Sequence, residues 1–416
     1  MAKKQVAAKA ETPAEIMPVL SFFTGGGLMD MGFENAGFPA AWTNEMDPVF
    51  AKLYAAGMTS WRQAKNPESE PVQISAVGKL LDLGGEDTIL RNAFPDGKPK
   101  FFGLIGGPPC QDFSSAGLRA GFDGWRGDVT HHYCLHIICM RPAFFVMENV
   151  TGLLEKKHRA EFKALCQFLS DDYVIDYAKL NSLDYGVPQS RERLFLIGLR
   201  KDLLTPSAAE QFAQNPPKTG WASWDSEKIY VKAQRGYEWP KTEKAGATPT
   251  RPSDEKQYAL CVDRCLVPPA QEELLANATE RFNLLSQKPA TIEEGNVANR
   301  SFKRLHRYRF SPTACYGNNE VHLHPYNGKR LSVREVLRIQ GVEDTYKLPT
   351  ELGLLTKKFK MICNGVPVPL AYGVAQTVAR ILRVYCGIQA VVKDEVRPSA
   401  QKINRPRVVY KAALAI

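Results

Sequence analysis

The chain has 416 residues, 44% hydrophobic and 24% charged, an ordinary composition for a globular protein with two domains or one large core carrying an insertion. No apolar run approaches the ~18 residues of a membrane span, and residues 1–18 lack the apolar core of a signal peptide, so a cytoplasmic location is expected. Nine cysteines include no Cys-x-x-Cys pair, which argues against a zinc cluster and for free thiols with no metal, while a net charge of +10 favours a polyanionic partner.

Residues 19–23 are a strand candidate that runs into the turn Thr24-Gly25-Gly26-Gly27, and residues 29–36 begin a helix. Three glycines let a ligand approach the backbone, and the helix amino terminus favours an anionic group. The spacing is not G-x-G-x-x-G, so another adenosine-containing ligand fits better than a dinucleotide. Residues 40–44 read as a second strand ending in Glu45, about 20 residues beyond the turn. A carboxylate there either takes both ribose hydroxyls or stands solvated at a strand end.

Residues 101–105 form a short buried strand stopped by Gly106-Gly107-Pro108-Pro109, with Cys110 at the tip of the loop. Strand, loop and cysteine together present a nucleophile at the carboxyl edge of a parallel sheet, and the plain alternative is a turn with an incidental thiol. Residues 144–147 are another strand, ending in Glu148 at that same edge. Residues 174–180 and 194–199 look like a late strand pair, and Gln189-Ser190-Arg191-Glu192-Arg193 leads into the second. Alternation puts Arg191 and Arg193 on one side, where they bind a phosphate, a carbonyl oxygen or neighbouring carboxylates. Strands spaced by helical stretches predict a doubly wound α/β sheet.

From about residue 200 the character changes. Residues 200–329 are rich in polar residues, proline and glycine, with scattered aromatics and neither periodicity nor repeat, as a separate irregular domain would be. Residues 296–338 hold nine Lys/Arg against two Asp/Glu. The run Arg304-Leu305-His306-Arg307-Tyr308-Arg309-Phe310 suits a nucleic-acid backbone or a solvated basic face. Residues 331–340 read as a helix with one buried face. Residues 370–385 read as a closing helix after the breaker-rich Asn364-Gly365-Val366-Pro367, and residues 392–416 are a basic tail.

Taken in order, these blocks resemble the DNA (cytosine-5) methyltransferase family of bacterial or phage type. The resemblance rests on an FxGxGG-like turn at 23–28, Asn44-Glu45-Met46-Asp47, Gly107-Pro108-Pro109-Cys110-Gln111-Asp112-Phe113-Ser114 and Glu148-Asn149-Val150. Gln189-x-Arg191-x-Arg193, Arg334-Glu335-x-x-Arg338-x-Gln340-Gly341 and Asn364-Gly365-Val366-Pro367 complete it, over residues 19–390. It implies an α/β fold, a Rossmann-like S-adenosylmethionine-dependent methyltransferase sheet with a second, smaller, irregular target-recognition domain. The expected division is a flexible tail at 1–17, a catalytic and cofactor-binding domain at 18–199 completed by 345–391, the target-recognition domain at 200–329, a connecting helix region at 330–344 and the basic tail at 392–416.

The resemblance also implies the activity: methyl transfer from S-adenosylmethionine to C5 of a flipped-out cytosine in a short duplex DNA sequence, through a covalent bond between Cys110 and C6. Glu148 would hold N3 and the exocyclic amine, Arg193 would bind O2, and Arg191 completes the catalytic set. The cofactor site carries over to Phe23, Gly25, Gly27, Glu45, Pro109, Asn364 and Val366. DNA contacts carry over to Gln111, Ser114, Arg119 and Arg126, in a loop at 111–128 that closes on DNA, and to Arg304, Arg307 and Arg309. Leu28 stands where the family has a further glycine, and adenine recognition is unassigned, with Gln73-Ile74 and Asp82 as candidates. Double-stranded DNA is the expected partner, a restriction endonuclease a functional one, and a monomer the expected state. An RNA cytosine-5 methyltransferase and a catalytically silent DNA-binding protein are the alternatives on the same blocks.

Overall fold

A computed structural model describes residues 16–109, 129–215, 219–244, 247–284, 288–298, 301–313, 321–326 and 328–389. Cys110, Gln111, Ser114, Arg119, Arg126, the rest of the loop at 111–128 and the tail at 392–416 lie outside the described residues.

The first half alternates strand and helix: β1 (Val19–Phe22), α1 (Leu28–Asn35), β2 (Ala40–Glu45), α2 (Pro48–Lys65), β3 (Ala76–Val77), α3 (Glu86–Ala93), β4 (Gly103–Gly106), α4 (Val129–Met140), β5 (Phe144–Asn149), α5 (Arg159–Leu169), β6 (Tyr173–Asn181) and β7 (Glu192–Arg200). The helix α2 starts where Asp47 accepts from the backbone N–H of Val49 and Phe50 and Pro48 supplies a preset φ at the first position. Together the strands make one sheet in the order β3-β2-β1-β4-β5-β7-β6. Strands β1 to β5 run parallel, and β7 lies antiparallel between β5 and β6. The expected α/β sheet is therefore mixed.

Alternation along the strands divides the core. Val19, Ile105, Phe144, Val146, Phe195 and Ile197 join one apolar cluster with Phe33 and the closing helix. Leu20, Leu104, Phe145, Met147, Leu194 and Leu196 join the other with Tyr133, Ile137 and Phe162. Side chains buried on both faces explain the nearly continuous apolar runs in these strands.

The remainder holds α6 (Pro206–Gln214), α7 (Ala233–Gly236), α8 (Glu255–Ala259), β8 (Phe302–Arg304), β9 (Val321–Leu323), α9 (Val333–Ile339), α10 (Leu355–Asn364) and α11 (Val368–Ile381), with β8 and β9 pairing in parallel. The stretch after residue 200 leans on the sheet: the Asp176 carboxylate accepts from Gly220 N, Ala222 N and Trp224 Nε1, and Arg380 donates to Ala222 O. Val262, Cys265, Leu266 and Leu305 share a third apolar cluster with α2, α9 and α10. A capping box between Ser332 and Glu335 starts α9. That helix has no solvated face: Arg334 and Arg338 are buried as well, Arg338 held by Asp344 and by Leu266 O. Among the described residues, no helix is long and apolar enough to cross a membrane.

Candidate active site

Because β1, β2, β4 and β5 are parallel, their carboxyl ends share one edge, with Phe22 opposite Asn44 and Gly106, and Gly106 opposite Met147. The sheet order turns at β1 and β4, which is where open α/β sheets bind ligands. The antiparallel β7 begins at this same edge, since Glu148 lies opposite Phe195 and Asn149 opposite Leu194. That reversal carries Arg193, just outside the pairing with β5, to the end of β5.

There Arg193 Nε lies 3.0 Å from Glu148 Oε1, and both side chains are largely buried. Burial raises the Glu148 carboxyl above its ordinary range, and the charges of Arg193 and Arg191 pull against it. A carboxyl so placed holds a proton more readily than a solvated one and still has a cation beside it. The approach to Cys110 passes directly alongside. Asn149 Nδ2 donates to Pro108 O at 3.0 Å, and a β-carbon on Gly107 would lie 2.9 Å from Glu148 Oε2. Gly107 is thus the residue type that lets this loop run against the carboxylate.

Arg191 has a different setting. Its side chain is buried, and its guanidinium donates to Cys363 O at 2.8 Å and Asn364 O at 3.3 Å. It ties the strand entry to the Asn364-Gly365-Val366-Pro367 block, and its charge also bears on Glu148.

The turn after β1 is sharply wound. Phe23, Gly25 and Gly27 have φ of 57°, 54° and 74°, a left-handed conformation unusual for the phenylalanine. The Glu45 carboxylate fastens this turn to β2, accepting from Gly25 N and Asp47 N, each at 2.9 Å. Burial raises the Glu45 carboxyl, and those two N–H donors oppose the shift. Each oxygen keeps lone-pair capacity for a ligand hydroxyl. A β-carbon on Gly25 would meet nothing within 4 Å, so the turn opens onto free space. Phe23 is half-buried against Tyr133, Val366 is buried, and Pro109 and Asn364 are exposed.

Sequence reasoning gave no role to Met46, 61% exposed beside Glu45, or to Asn149, whose partner Pro108 lies 41 residues earlier. Ile74 is exposed just before β3, and Asp82 is exposed in a short turn of helix after it.

The basic run at 304–310 is not one surface. Arg304 is buried, and its guanidinium donates to Ile292 O, His324 O and Pro289 O. The expected contact between Arg304 and DNA is corrected on that ground: its charge is spent on carbonyls inside the protein. Arg307 is clamped by both oxygens of Glu294 and lies 4.2 Å over the Tyr326 ring. Arg309 is partly buried beside Phe310 and Pro240 O.

A family model for C-5 cytosine-specific DNA methylases matches residues 17–380. The chain is 36% identical over 376 residues to the type II methyltransferase M.NmeDI of Neisseria meningitidis serogroup C, a match covering 88% of this chain and 84% of that protein. It is 29% identical over 371 residues to the type II methyltransferase M.NgoPII of Neisseria gonorrhoeae, covering 88% and 96%. Among solved structures, a DNA modification methyltransferase encoded within an E. coli prophage has the same fold, with TM-score 0.59 at 23% identity, covering 88% of this chain and 99% of that one.

Proposed function

The chain belongs to the C-5 cytosine-specific DNA methylase family, and from that membership we propose that it transfers a methyl group from S-adenosylmethionine to C5 of one cytosine within a short duplex DNA sequence. The observation that carries this reading is the Glu148–Arg193 pair, set beside the loop that leads through Gly107 and Pro108 to Cys110. C5 of cytosine is a poor nucleophile, and its ring is inaccessible while stacked in a duplex, so the base must be flipped out. The Cys110 thiolate adds to C6, which makes C5 enamine-like. Glu148, raised by burial, holds a proton at N3 as the thiolate adds, and later takes it back. Arg193 holds Glu148 in place and binds O2 of the ring. Loss of the C5 proton to a base or ordered water and elimination of Cys110 from C6 free the enzyme.

The open turn and the oriented carboxylate fit S-adenosylmethionine. Phe23, Gly25, Gly27, Glu45, Pro109, Asn364 and Val366 would hold it, Glu45 through the ribose hydroxyls. When bound, it supplies a methyl group made electrophilic by its sulfonium. Arg191 acts by fixing the Cys363–Asn364 carbonyls against the strand entry.

Gln111, Ser114, Arg119 and Arg126 belong to the loop that closes on DNA, and Arg307 and Arg309 lie on the recognition side. The named relatives are type II methyltransferases, which supports modification of DNA alongside a restriction endonuclease; action by one chain at a time is part of the same proposal. The test is expression in a methylation-free host followed by bisulfite sequencing, with duplex DNA competed against tRNA for labelled methyl transfer in vitro. Methylated cytosine confined to one short motif supports the reading. Label on the tRNA, or an unmethylated genome, refutes it.

A further inference from the structure

The peptide between Gly26 and Gly27 lies within the glycine run of the cofactor turn. Neither flanking residue has a β-carbon, so little opposes rotation of that peptide plane as a unit. Its orientation decides where the Gly26 carbonyl and the Gly27 N–H point, and Gly27 is the residue that opens α1. Among the described residues, two hydrogen bonds hold it. The N–H of Gly27 donates to Thr24 O at 2.9 Å, inside the turn itself. The carbonyl of Gly26 accepts from the hydroxyl of Tyr346 at 2.8 Å, from 320 residues away.

Tyr346 is well anchored for that task. It is fully buried, in the turn between α9 and α10. Arg334 of α9 donates to Tyr346 O at 2.7 Å and also holds Ala276 O and Asn277 Oδ1. The ring sits in a gap of α2 that exists because residue 57 is glycine: a β-carbon there would lie 2.2 Å from Tyr346 Cζ.

We propose that Tyr346 is a positioning residue for the cofactor, its hydroxyl locking the Gly26–Gly27 peptide in the orientation that presents the turn to S-adenosylmethionine. The proposal rests on the cofactor assignment above. It makes the turn dependent on a segment that Arg334 also ties to Ala276 and Asn277.

The test is Tyr346→Phe, which keeps the ring and removes one hydrogen bond. Binding of S-adenosylmethionine to wild type and variant is measured by calorimetry, together with KM for cofactor, KM for duplex DNA, and melting temperature. The expected result is cofactor affinity weaker by about five- to tenfold, about 1–1.4 kcal/mol. KM for the cofactor should rise by the same factor, while KM for DNA and kcat at saturating cofactor hold. Unchanged cofactor affinity, with or without a lower melting temperature, overturns the proposal and leaves Tyr346 a purely structural residue. If the wild type itself does not bind S-adenosylmethionine, the cofactor assignment fails in the wild-type arm, and the proposal falls with it.

Discussion

Gly107→Ala asks whether the position of the Glu148 carboxylate, rather than its presence, sets the rate. The backbone of Gly107 is not left-handed, so alanine is tolerated there and the perturbation is the added methyl group alone. That carbon would lie 2.9 Å from Glu148 Oε2, where ordinary contact begins near 3.4 Å, so the carboxylate must retreat by about half an ångström. It is not free to swing, because Arg193 Nε holds its other oxygen at 3.0 Å. A misplacement of ~1 Å at a reacting centre costs about a hundredfold, so half of that should cost about tenfold in single-turnover methyl transfer. The assay is rapid-quench transfer of labelled methyl to duplex DNA at saturating cofactor, repeated in a Glu148→Ala background. There the added methyl has nothing to push against, and Gly107→Ala should change the rate by less than about twofold. Equal losses in both backgrounds, or no loss against wild type, would refute this reasoning.

Asp30, fully buried in α1 and accepting from Ser21 Oγ at 2.6 Å, has its carboxyl raised by burial to about 6. A folded value above the unfolded value of 3.8 means that its contribution to stability is complete below about pH 4 and is lost as pH rises through about 6. Asp30→Asn cannot ionise, so urea unfolding should show the variant gaining on wild type by about 3 kcal/mol between pH 4 and pH 8; a gap independent of pH contradicts this. Arg304→Met should cost about 2–4 kcal/mol of stability by orphaning buried carbonyls, and should leave the salt dependence of DNA binding unchanged. A slope reduced by about 0.9, the value of one phosphate contact, would return Arg304 to the DNA surface.

Much of the site edge was legible because a strand that ends in a single charged residue is a strong local pattern. The strand-like run that ends at Glu45, and the apolar runs closed by Glu148 and by the Gly-Pro loop before Cys110, point to a sheet edge before any tertiary contact is known. The pairing of Glu148 with Arg193 was not legible, since it follows from the antiparallel entry of β7, a property of the whole sheet. Arg304 misled for a related reason. Its run reads as surface charge, and the carbonyls that bury it come from Pro289, Ile292 and His324 on other segments. The long helix α2 carried its signal openly in Asp47-Pro48, an N-cap followed by proline. The two-residue β3 carried none, because so short an edge strand exists only through its neighbour, helped by Asn44 Nδ2 donating to Ala76 O.

The central claim is that Cys110 is a nucleophile toward C6 of a cytosine held by Glu148 and Arg193. Duplex DNA carrying 5-fluorocytosine at the methylated position tests it most directly, because fluorine at C5 cannot leave as a proton does and the adduct is trapped. With S-adenosylmethionine present, the wild type should form a protein–DNA species that survives denaturation, with the modified peptide mapping to Cys110, and Cys110→Ala should form none. A wild type that methylates DNA yet traps no adduct, or a Cys110→Ala variant that traps one, would contradict the account.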